Sequence, residues 1–100
     1  MKAHHRKLVT LIAESALEPS IVHKLSTQPI SGYTITDARG TGARGSRPGT
    51  TAETGNIRCE VVCREEVARQ IAEEFLEEFG RNYALVVYVG DVTVLRADKF

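Results

Sequence analysis

The stretch IRCEVVCREEVARQIAEEFLEEFG, residues 57–80, is the clearest guide to the fold, because the spacing of its apolar residues changes partway along. Apolar side chains alternate over residues 57–63, which is typical of a strand with one buried face. From Glu65 to Phe79 they recur at the i, i+3, i+4 spacing of an amphipathic helix. Two glutamates begin this segment, where the helix dipole favours acids, and Gly80 is suited to the C′ position that ends a helix. The stretch predicts a strand that leads directly into a helix.

The predicted helix has an apolar face and an acidic face. Its glutamates beyond the first turn should be a solvated surface rather than a binding site, because an amphipathic helix places its charges there. The residues expected to face solvent are Glu73, Glu74, Glu77 and Glu78, and those expected to pack inward are Val67, Ala68, Ile71, Ala72, Phe75, Leu76 and Phe79.

The rest of the chain supplies the other elements. Residues 7–13 and 33–39 are predicted strands, and a helix should run from Pro19 to near Gln28, since Pro29 disfavours a helical residue before it. Residues 83–89 are nearly continuous in apolar side chains and predict a strand covered on both faces. A bend or bulge is expected at Gly90 and Asp91, followed by an extended segment over 92–96.

The predicted order is βαββαβ. The simplest packing puts both helices on one face of a four-stranded antiparallel sheet, which is a ferredoxin-like α+β fold. Helices then cover one face only, and the other carries enough apolar or neutral residues to need a partner. We therefore expect self-association in a closed ring.

Length and composition indicate one domain over residues 1–100, with a polar leader at 1–6 and a tail at 97–100. Thirteen basic and thirteen acidic residues give zero formal charge, which argues against a general nucleic-acid binder. The longest apolar runs fall far short of the ~20 residues that cross a bilayer, so we expect a cytoplasmic protein without membrane insertion.

The two cysteines and the histidines give no sign of a metal or disulfide site. Cys59 and Cys63 are four residues apart on a predicted strand, or about 13 Å, whereas a disulfide needs Cα atoms within about 7 Å. Buried, reduced thiols are the better interpretation. The adjacent His4 and His5 are weak evidence for a metal site, so no metal is predicted.

The loop between the second and third strands, residues 40–56, is longer than a connection needs to be. It reads GTGARGSRPGTTAETGN, with five of the eight glycines and no apolar side chain larger than alanine. Loops of this length are usually functional or disordered. Its first residues supply free backbone N–H groups, a hydroxyl and a guanidinium, which suit an anion. A disordered linker is the alternative from composition alone.

The segment SGYTITDARGTG, residues 31–42, resembles the PII signalling family. In that family the second strand carries a Gly-x-Thr-x-Thr pattern and runs into a Gly-x-Gly at the base of a long T-loop. The resemblance continues through Cys59, Glu60, Val61 and Val62, then the second helix, then residues 83–95, and so covers almost the whole chain.

Two departures point to a PII-like offshoot. The connection after the second helix is read as only Gly80, Arg81 and Asn82, where nitrogen-regulatory PII proteins have a longer phosphate-binding B-loop, and the T-loop lacks the tyrosine that some members have modified. Tyr83, Tyr88 and the ending Val94-Leu95 are similar to the branch of inorganic-carbon acquisition, most of all to its carboxysome-associated type.

The resemblance implies a homotrimer that binds an adenine nucleotide between subunits, with no permanently bound cofactor. ADP, AMP or ATP would be the nucleotide and bicarbonate a second effector. The residues implied for the nucleotide are Thr34, Gly40, Thr41, Gly42, Ala43, Arg44, Val62 and, from the neighbouring subunit, Arg96; those implied for bicarbonate are Arg44, Arg47 and Arg58. Loop residues 40–47 would form an ordered base and residues 48–56 a mobile arm.

The predicted function is a non-catalytic signalling protein that binds a transporter or carboxysome-related target through its T-loop. The alternative is a small ferredoxin-like hydrolase of phosphate esters or acyl phosphates. Against it, the histidines lie in the leader and first helix, and the strand acids Asp37, Glu60 and Asp91 have no obvious catalytic partner. An RNA-binding module is disfavoured because the third strand has no stacking aromatic residue.

Overall fold

A four-stranded antiparallel sheet forms the centre of the molecule in the computed structural model, which describes residues 2–42, 45–47 and 55–100. The strand order is β2-β5-β1-β6, and a separate two-stranded ladder joins β3 to β4. The elements in chain order are β1 (His4–Glu14), α1 (Glu18–Leu25), β2 (Thr34–Ala38), β3 (Gly40–Gly42), β4 (Gly45–Arg47), β5 (Asn56–Cys63), α2 (Glu65–Phe79) and β6 (Val86–Val94). The predicted ferredoxin-like α+β fold is confirmed.

The core lies between the helices and one face of the sheet. Pairing sets Val9 opposite Val61 and Leu11 opposite Cys59, so the side chains of these residues share that face. They are buried together with apolar residues of both helices, including Ile21 of α1 and Phe75 of α2. The Phe75 and Phe79 rings pack with their centroids 5.6 Å apart. Both helices therefore cover the same face of the sheet, as predicted.

The strands β1 and β6 are longer than predicted. β1 begins at His4, so part of the expected polar leader belongs to the sheet. Because β1 extends this far back, it pairs with every residue of β6, from Ile12 opposite Val86 to His4 opposite Val94. The strand runs straight through Gly90 and Asp91, and the predicted bend there is wrong.

The covering of β6 also differs from the prediction. Val86, Tyr88 and Val89 are 40%, 52% and 44% exposed in the single chain. The helices pack on one face of the sheet only, so β6 is not covered on both faces in the single chain, contrary to the prediction.

Helix α2 has the predicted bounds, but its faces differ in detail. Leu76, expected inside, is 49% exposed. Two of the four glutamates expected to be solvated also contact α1, because Lys24 Nζ lies 3.4 Å from Glu74 and 3.0 Å from Glu78, although the Glu78 side chain remains 52% exposed. Gln28 links the same helices, accepting a hydrogen bond from Gln70 at 3.0 Å.

Each helix ends differently from expectation. Gly80 has a φ of −68°, so it is not a left-handed C′ residue. A Cβ at this position would collide with the backbone carbonyl of Leu76, which explains a glycine here by close approach instead. Helix α1 ends at Leu25, and Gln28 N–H bonds the Leu25 carbonyl in a tighter final turn.

The connection from α2 to β6 comprises residues 80–85, twice the predicted length. Tyr83 N–H bonds the Phe79 carbonyl, and Leu85 N–H bonds the Tyr83 carbonyl. These local hydrogen bonds keep residues 83–85 out of the strand. The described chain contains no helix long and apolar enough to cross a membrane.

Candidate functional site

The base of the long loop is a small hairpin that begins just beyond β2. β3 and β4 pair antiparallel, with Gly40 opposite Arg47, Thr41 opposite Ser46 and Gly42 opposite Gly45. The predicted ordered base is therefore paired backbone over its described residues. Ala43 and Arg44, predicted to hold phosphate, lie outside the described residues, as do residues 48–54 of the predicted arm.

The far end of the loop is fixed to the body of the protein. Gly55 and Asn56 are buried, and Ser15 N–H donates a 2.8 Å hydrogen bond to the Gly55 carbonyl. Asn56 is the first residue of β5, opposite Glu14 and Ala38. The prediction that the arm extends to Asn56 is wrong at its last two residues, because the sheet and the turn after β1 hold them.

Thr34 and Val62 lie near one another on the sheet face that the helices leave uncovered, which we call the open face. Thr34 is exposed and stands opposite Glu60, two residues before Val62 on β5. This register makes Thr34 and Val62 diagonal neighbours, which places their Cα atoms roughly 7–8 Å apart. A hydroxyl and an apolar side chain are thus available together to a ligand at this edge of the sheet.

Arg96 lies at the opposite end of the sheet from the loop base. Arg96 comes two residues after Val94, which pairs with His4 at the start of β1. Gly40 comes two residues after Ala38, and Ala38 and Glu14 both pair with Asn56, so Gly40 lies near the other end of β1. The ten residue steps of β1 between these levels span about 33 Å. One chain does not bring Arg96 and the loop base together, so a site using both needs two chains.

The candidate bicarbonate arginines are also separated. Arg47 lies in the hairpin opposite Gly40, whereas Arg58 stands opposite Thr36 within the sheet. Arg58 Nε is 3.8 Å from a Glu60 carboxylate oxygen, which is an ion pair too long for a hydrogen bond. The contact that the structure shows for the Arg58 side chain is therefore with Glu60.

Two of the three strand acids, Glu60 and Asp91, have cationic neighbours that only the structure shows. Asp91 accepts a hydrogen bond from Lys7 across the β1–β6 pair, and Lys7 also lies 3.8 Å from Glu65. The hydrogen bond to Lys7 lowers the pKa of Asp91, and the same bond raises the pKa of Lys7. Asp91 pairs with Lys7 and Glu60 with Arg58, and these pairs do not add to the case for a hydrolase.

Two further residues emerge only from the structure. Glu60 lies between the predicted ligand residues Thr34 and Val62, and only the strand register reveals it. Arg6 Nε donates a 3.3 Å hydrogen bond to the Phe100 carbonyl, which holds the turn Ala97–Lys99 after Arg96 against the start of β1. The alternation of Arg58 and Glu60 along β5 places both on one face, but it does not show that Glu60 lies beside Thr34, and nothing local pairs Arg6 with Phe100.

Neither thiol is poised for chemistry, and no metal cluster is found in the part of the chain that the structure describes. Cys59 and Cys63 are free and buried on the helix-covered face. Burial raises the pKa of Cys59 to about 11 and also raises the pKa of Cys63. No group of three His, Cys, Asp or Glu side chains among the described residues could hold a metal ion.

Comparison with protein families decides the identity of the fold. The family model described as nitrogen regulatory protein P-II matches residues 6–99. The chain belongs to the PII family. Comparison with curated protein sequences gives no match.

Solved structures of PII-like proteins align with this PII chain over nearly its full length. A protein from Thermus thermophilus described as a PII-like signalling protein is 43% identical, with a TM-score of 0.86 and coverage of 100% of this chain and 99% of that one. CPII from Thiomonas intermedia, a nitrogen regulatory PII-like protein solved with ADP, AMP and bicarbonate, is 27% identical, with a TM-score of 0.88 and coverage of 99% and 96%.

A more distant structure shares only the fold. A DUF3240 family protein from Shewanella baltica is 16% identical to this PII chain, with a TM-score of 0.67 and coverage of 84% and 86%. At this identity the likeness concerns the architecture of sheet and helices alone.

Proposed function

We propose that this PII-family chain is a non-catalytic signalling protein that binds ADP or AMP between the subunits of a homotrimer. The observation that carries the proposal is its full-length similarity to CPII, which was solved with ADP, AMP and bicarbonate. The separation of Arg96 from the loop base supports a site shared between two chains, since a single chain cannot supply both.

In this proposal Thr34 and Val62 hold the adenine, through the threonine hydroxyl and the backbone near Val62. Backbone N–H groups of Gly40, Thr41, Gly42 and Ala43, with the Arg44 guanidinium, wrap the phosphates. Arg96 of the neighbouring subunit adds a second cation. Glycines suit the base because a backbone that must approach a phosphate closely has no room for side chains.

Bicarbonate is proposed as a second effector. It is a small planar anion that an arginine fork can bind with two parallel hydrogen bonds. Arg44, Arg47 and Arg58 are the candidates, and Arg44 and Arg47 are favoured because Arg58 already lies near Glu60. Bicarbonate sensing would tie the protein to inorganic-carbon fixation, in the cytoplasm beside a carboxysome or a transporter.

Signal output is proposed to pass through the loop of residues 40–56. A nucleotide that binds the ordered arrangement of the loop base more tightly than other arrangements would shift the population of the loop toward the ordered one. The size of this shift is limited by the difference between the two affinities. The rearranged loop would then bind or release a target protein. No step in this scheme requires catalysis.

Isothermal titration calorimetry with ADP, AMP, ATP and cyclic AMP tests the proposal, each nucleotide titrated with bicarbonate or with chloride at equal ionic strength. We expect ADP or AMP to bind at micromolar concentration and bicarbonate to change the affinity. Thr34→Val, which keeps the β-branched shape and removes the hydroxyl, should weaken binding by about tenfold, the worth of one hydrogen bond.

Arg69→Gln is the matched control for Arg44→Gln. Arg69 is exposed on α2 away from the open face, so its loss should leave nucleotide affinity unchanged. Arg44→Gln should weaken ADP more than adenosine, because only ADP carries phosphates. Absence of any adenylate binding at millimolar concentration would contradict the proposed function.

A further inference from the structure

The chain folds back on itself after β6. That strand ends at Val94, and six more residues of extended chain would carry Phe100 about 20 Å beyond it. The Phe100 carbonyl instead accepts a hydrogen bond from Arg6, whose partner on β6 is Val92. Residues 95–100 therefore return toward the sheet, and the proposed phosphate-binding arginine is the second residue of this return.

Local hydrogen bonds give the returning segment its shape. Lys99 N–H bonds the Arg96 carbonyl at 3.0 Å, and Phe100 N–H bonds the Ala97 carbonyl at 3.2 Å. These bonds make one short helical turn over Ala97–Lys99. They order the turn internally, but they do not attach it to the sheet. A segment this short keeps a fixed position only where the rest of the fold holds it.

Arg6 supplies an attachment of this kind. Its Nε donates a hydrogen bond to the Phe100 carbonyl at 3.3 Å, and its guanidinium also donates one to the His5 carbonyl at 2.8 Å. The side chain is half-buried, and it belongs to β1, the strand that pairs with both β5 and β6. Because the second bond fixes the direction of the guanidinium, the first joins the turn to a firmly held strand.

Arg96 depends on this attachment because its side chain is not held by anything else in the described part of the chain. The residue is exposed, and no hydrogen bond or ion pair of its guanidinium is found among the described residues. A long side chain loses rotational freedom when it binds a phosphate, and a loose backbone would add to that loss. A backbone that is already in position reduces the entropy that binding must remove.

We propose that Arg6 is a positioning residue for nucleotide binding, because it holds the turn after β6 so that Arg96 can reach the phosphates bound at the neighbouring subunit. This inference rests on the proposed function and deepens it, since it adds a residue that touches no nucleotide but sets the affinity for its phosphates. The adenine contact proposed for Thr34 lies on another strand and does not depend on the turn.

Isothermal titration calorimetry with ADP and with adenosine tests the role of Arg6. Arg6→Met keeps a long unbranched side chain and removes every donor. It should weaken ADP binding about fivefold, because binding must then order the turn as well as the arginine. Adenosine affinity should stay unchanged, because adenosine has no phosphate for Arg96 to bind. Equal weakening of both ligands would indicate a general structural loss and would overturn the proposal.

A double-mutant cycle separates positioning from a direct contact with the nucleotide. Arg96→Gln alone should weaken ADP binding about thirtyfold, the worth of a hydrogen bond to a charged group. In the Arg96→Gln chain, Arg6→Met should cause no further loss, because the turn then carries nothing that the phosphates need. A fivefold loss that persists in that chain would mean that Arg6 acts without Arg96, and the proposal would be wrong.

Arg69→Met is the matched control, since it removes an exposed arginine of α2, and its ADP affinity should equal that of the wild type. Sedimentation velocity should show the same oligomer for wild type, Arg6→Met and Arg96→Gln. Loss of the oligomer in Arg6→Met would assign the residue to assembly and would overturn the proposal. Unchanged ADP affinity in Arg6→Met would overturn this inference alone, whereas a wild type that binds no ADP would contradict the proposed function and this inference with it.

Discussion

At the scale of single residues, Cys59 has an environment that suppresses its chemistry. It is fully buried on β5, between strand neighbours Leu11 and Ile35. Burial disfavours the charged thiolate, and the neighbouring Glu18 and Glu60 add to this, so the pKa of Cys59 rises to about 11. The thiol is therefore a packing group at neutral pH.

We expect the stability of the protein to fall as the pH rises from about 9 to about 11. In this window the unfolded chain has lost the Cys59 proton while the folded chain keeps it, so a rise in pH favours unfolding. The loss should be at most about 2–3 kcal/mol, since one pKa unit corresponds to about 1.4 kcal/mol. Urea unfolding across this pH range measures it.

Cys59→Val is the matched variant for this measurement, because it keeps an apolar side chain of similar size. Its stability should fall less steeply between pH 9 and 11 than that of the wild type. Equal slopes for the two proteins would show that other groups cause the alkaline loss.

At the scale of elements, helix α2 carries three different surfaces. Phe75 and Ile71 are fully buried against the sheet, while Glu74 and Glu78 face α1. The hydrogen bond with Glu78 is the largest cause of the raised pKa of Lys24. Leu76, next to Phe75 in the chain, is half exposed. Ion pairs therefore connect α2 to α1, and buried apolar side chains pack α2 against the sheet.

Phe75→Ala and Leu76→Ala should differ sharply in their effect on the free energy of unfolding. Removal of the Phe75 ring leaves a cavity in the core beside Phe79 and should cost about 3–5 kcal/mol. Leu76→Ala should cost less than about 1 kcal/mol, because half of that side chain is already in water. Chemical denaturation of both variants at low protein concentration measures the difference.

A comparable cost at the two positions would contradict this assignment of faces. It would indicate that Leu76 is covered in solution, and repeating the measurement at several protein concentrations would show whether another copy covers it.

At the scale of the whole molecule, the loop of residues 40–56 joins two anchored ends. Its start is the β3–β4 hairpin, and its end is held by the Ser15–Gly55 hydrogen bond and by the pairing of Asn56. Arg47 pairs with Gly40, Gly40 lies two residues after Ala38, and Ala38 pairs with Asn56. These steps place the Cα atoms of Arg47 and Asn56 within about 17 Å of each other. A Gly-Ser-Gly linker followed by Gly55 puts five Cα–Cα steps between Arg47 and Asn56, which reach about 18 Å when fully extended.

Replacing residues 48–54 by Gly-Ser-Gly should therefore leave the fold, the oligomer and ADP binding intact. Such a chain keeps both anchored ends and the whole core. Thermal unfolding, sedimentation velocity and calorimetry measure the three properties. Loss of the oligomer in this variant would show that the loop is structural rather than a binding arm.

Much of the fold followed from local patterns. The period change between residues 57–63 and Glu65–Phe79 predicted β5 and α2 closely, because alternation and helical spacing are properties of consecutive residues. The straight course of β6 through Gly90 could not be predicted, because it depends on a partner strand more than seventy residues away. The Glu74 and Glu78 contacts with Lys24 likewise require the position of α1.

For the candidate site, residue types and their order predicted the kind of ligand, because a glycine-rich segment with arginines follows a strand that carries Thr34. Strand pairing was needed to show that Thr34, Glu60 and Val62 share one face, and that Arg96 and Gly40 lie at opposite ends of the sheet. Residue identity and spacing are properties of consecutive residues, whereas strand register and the distances between residues are set when remote strands pair and bury a common core.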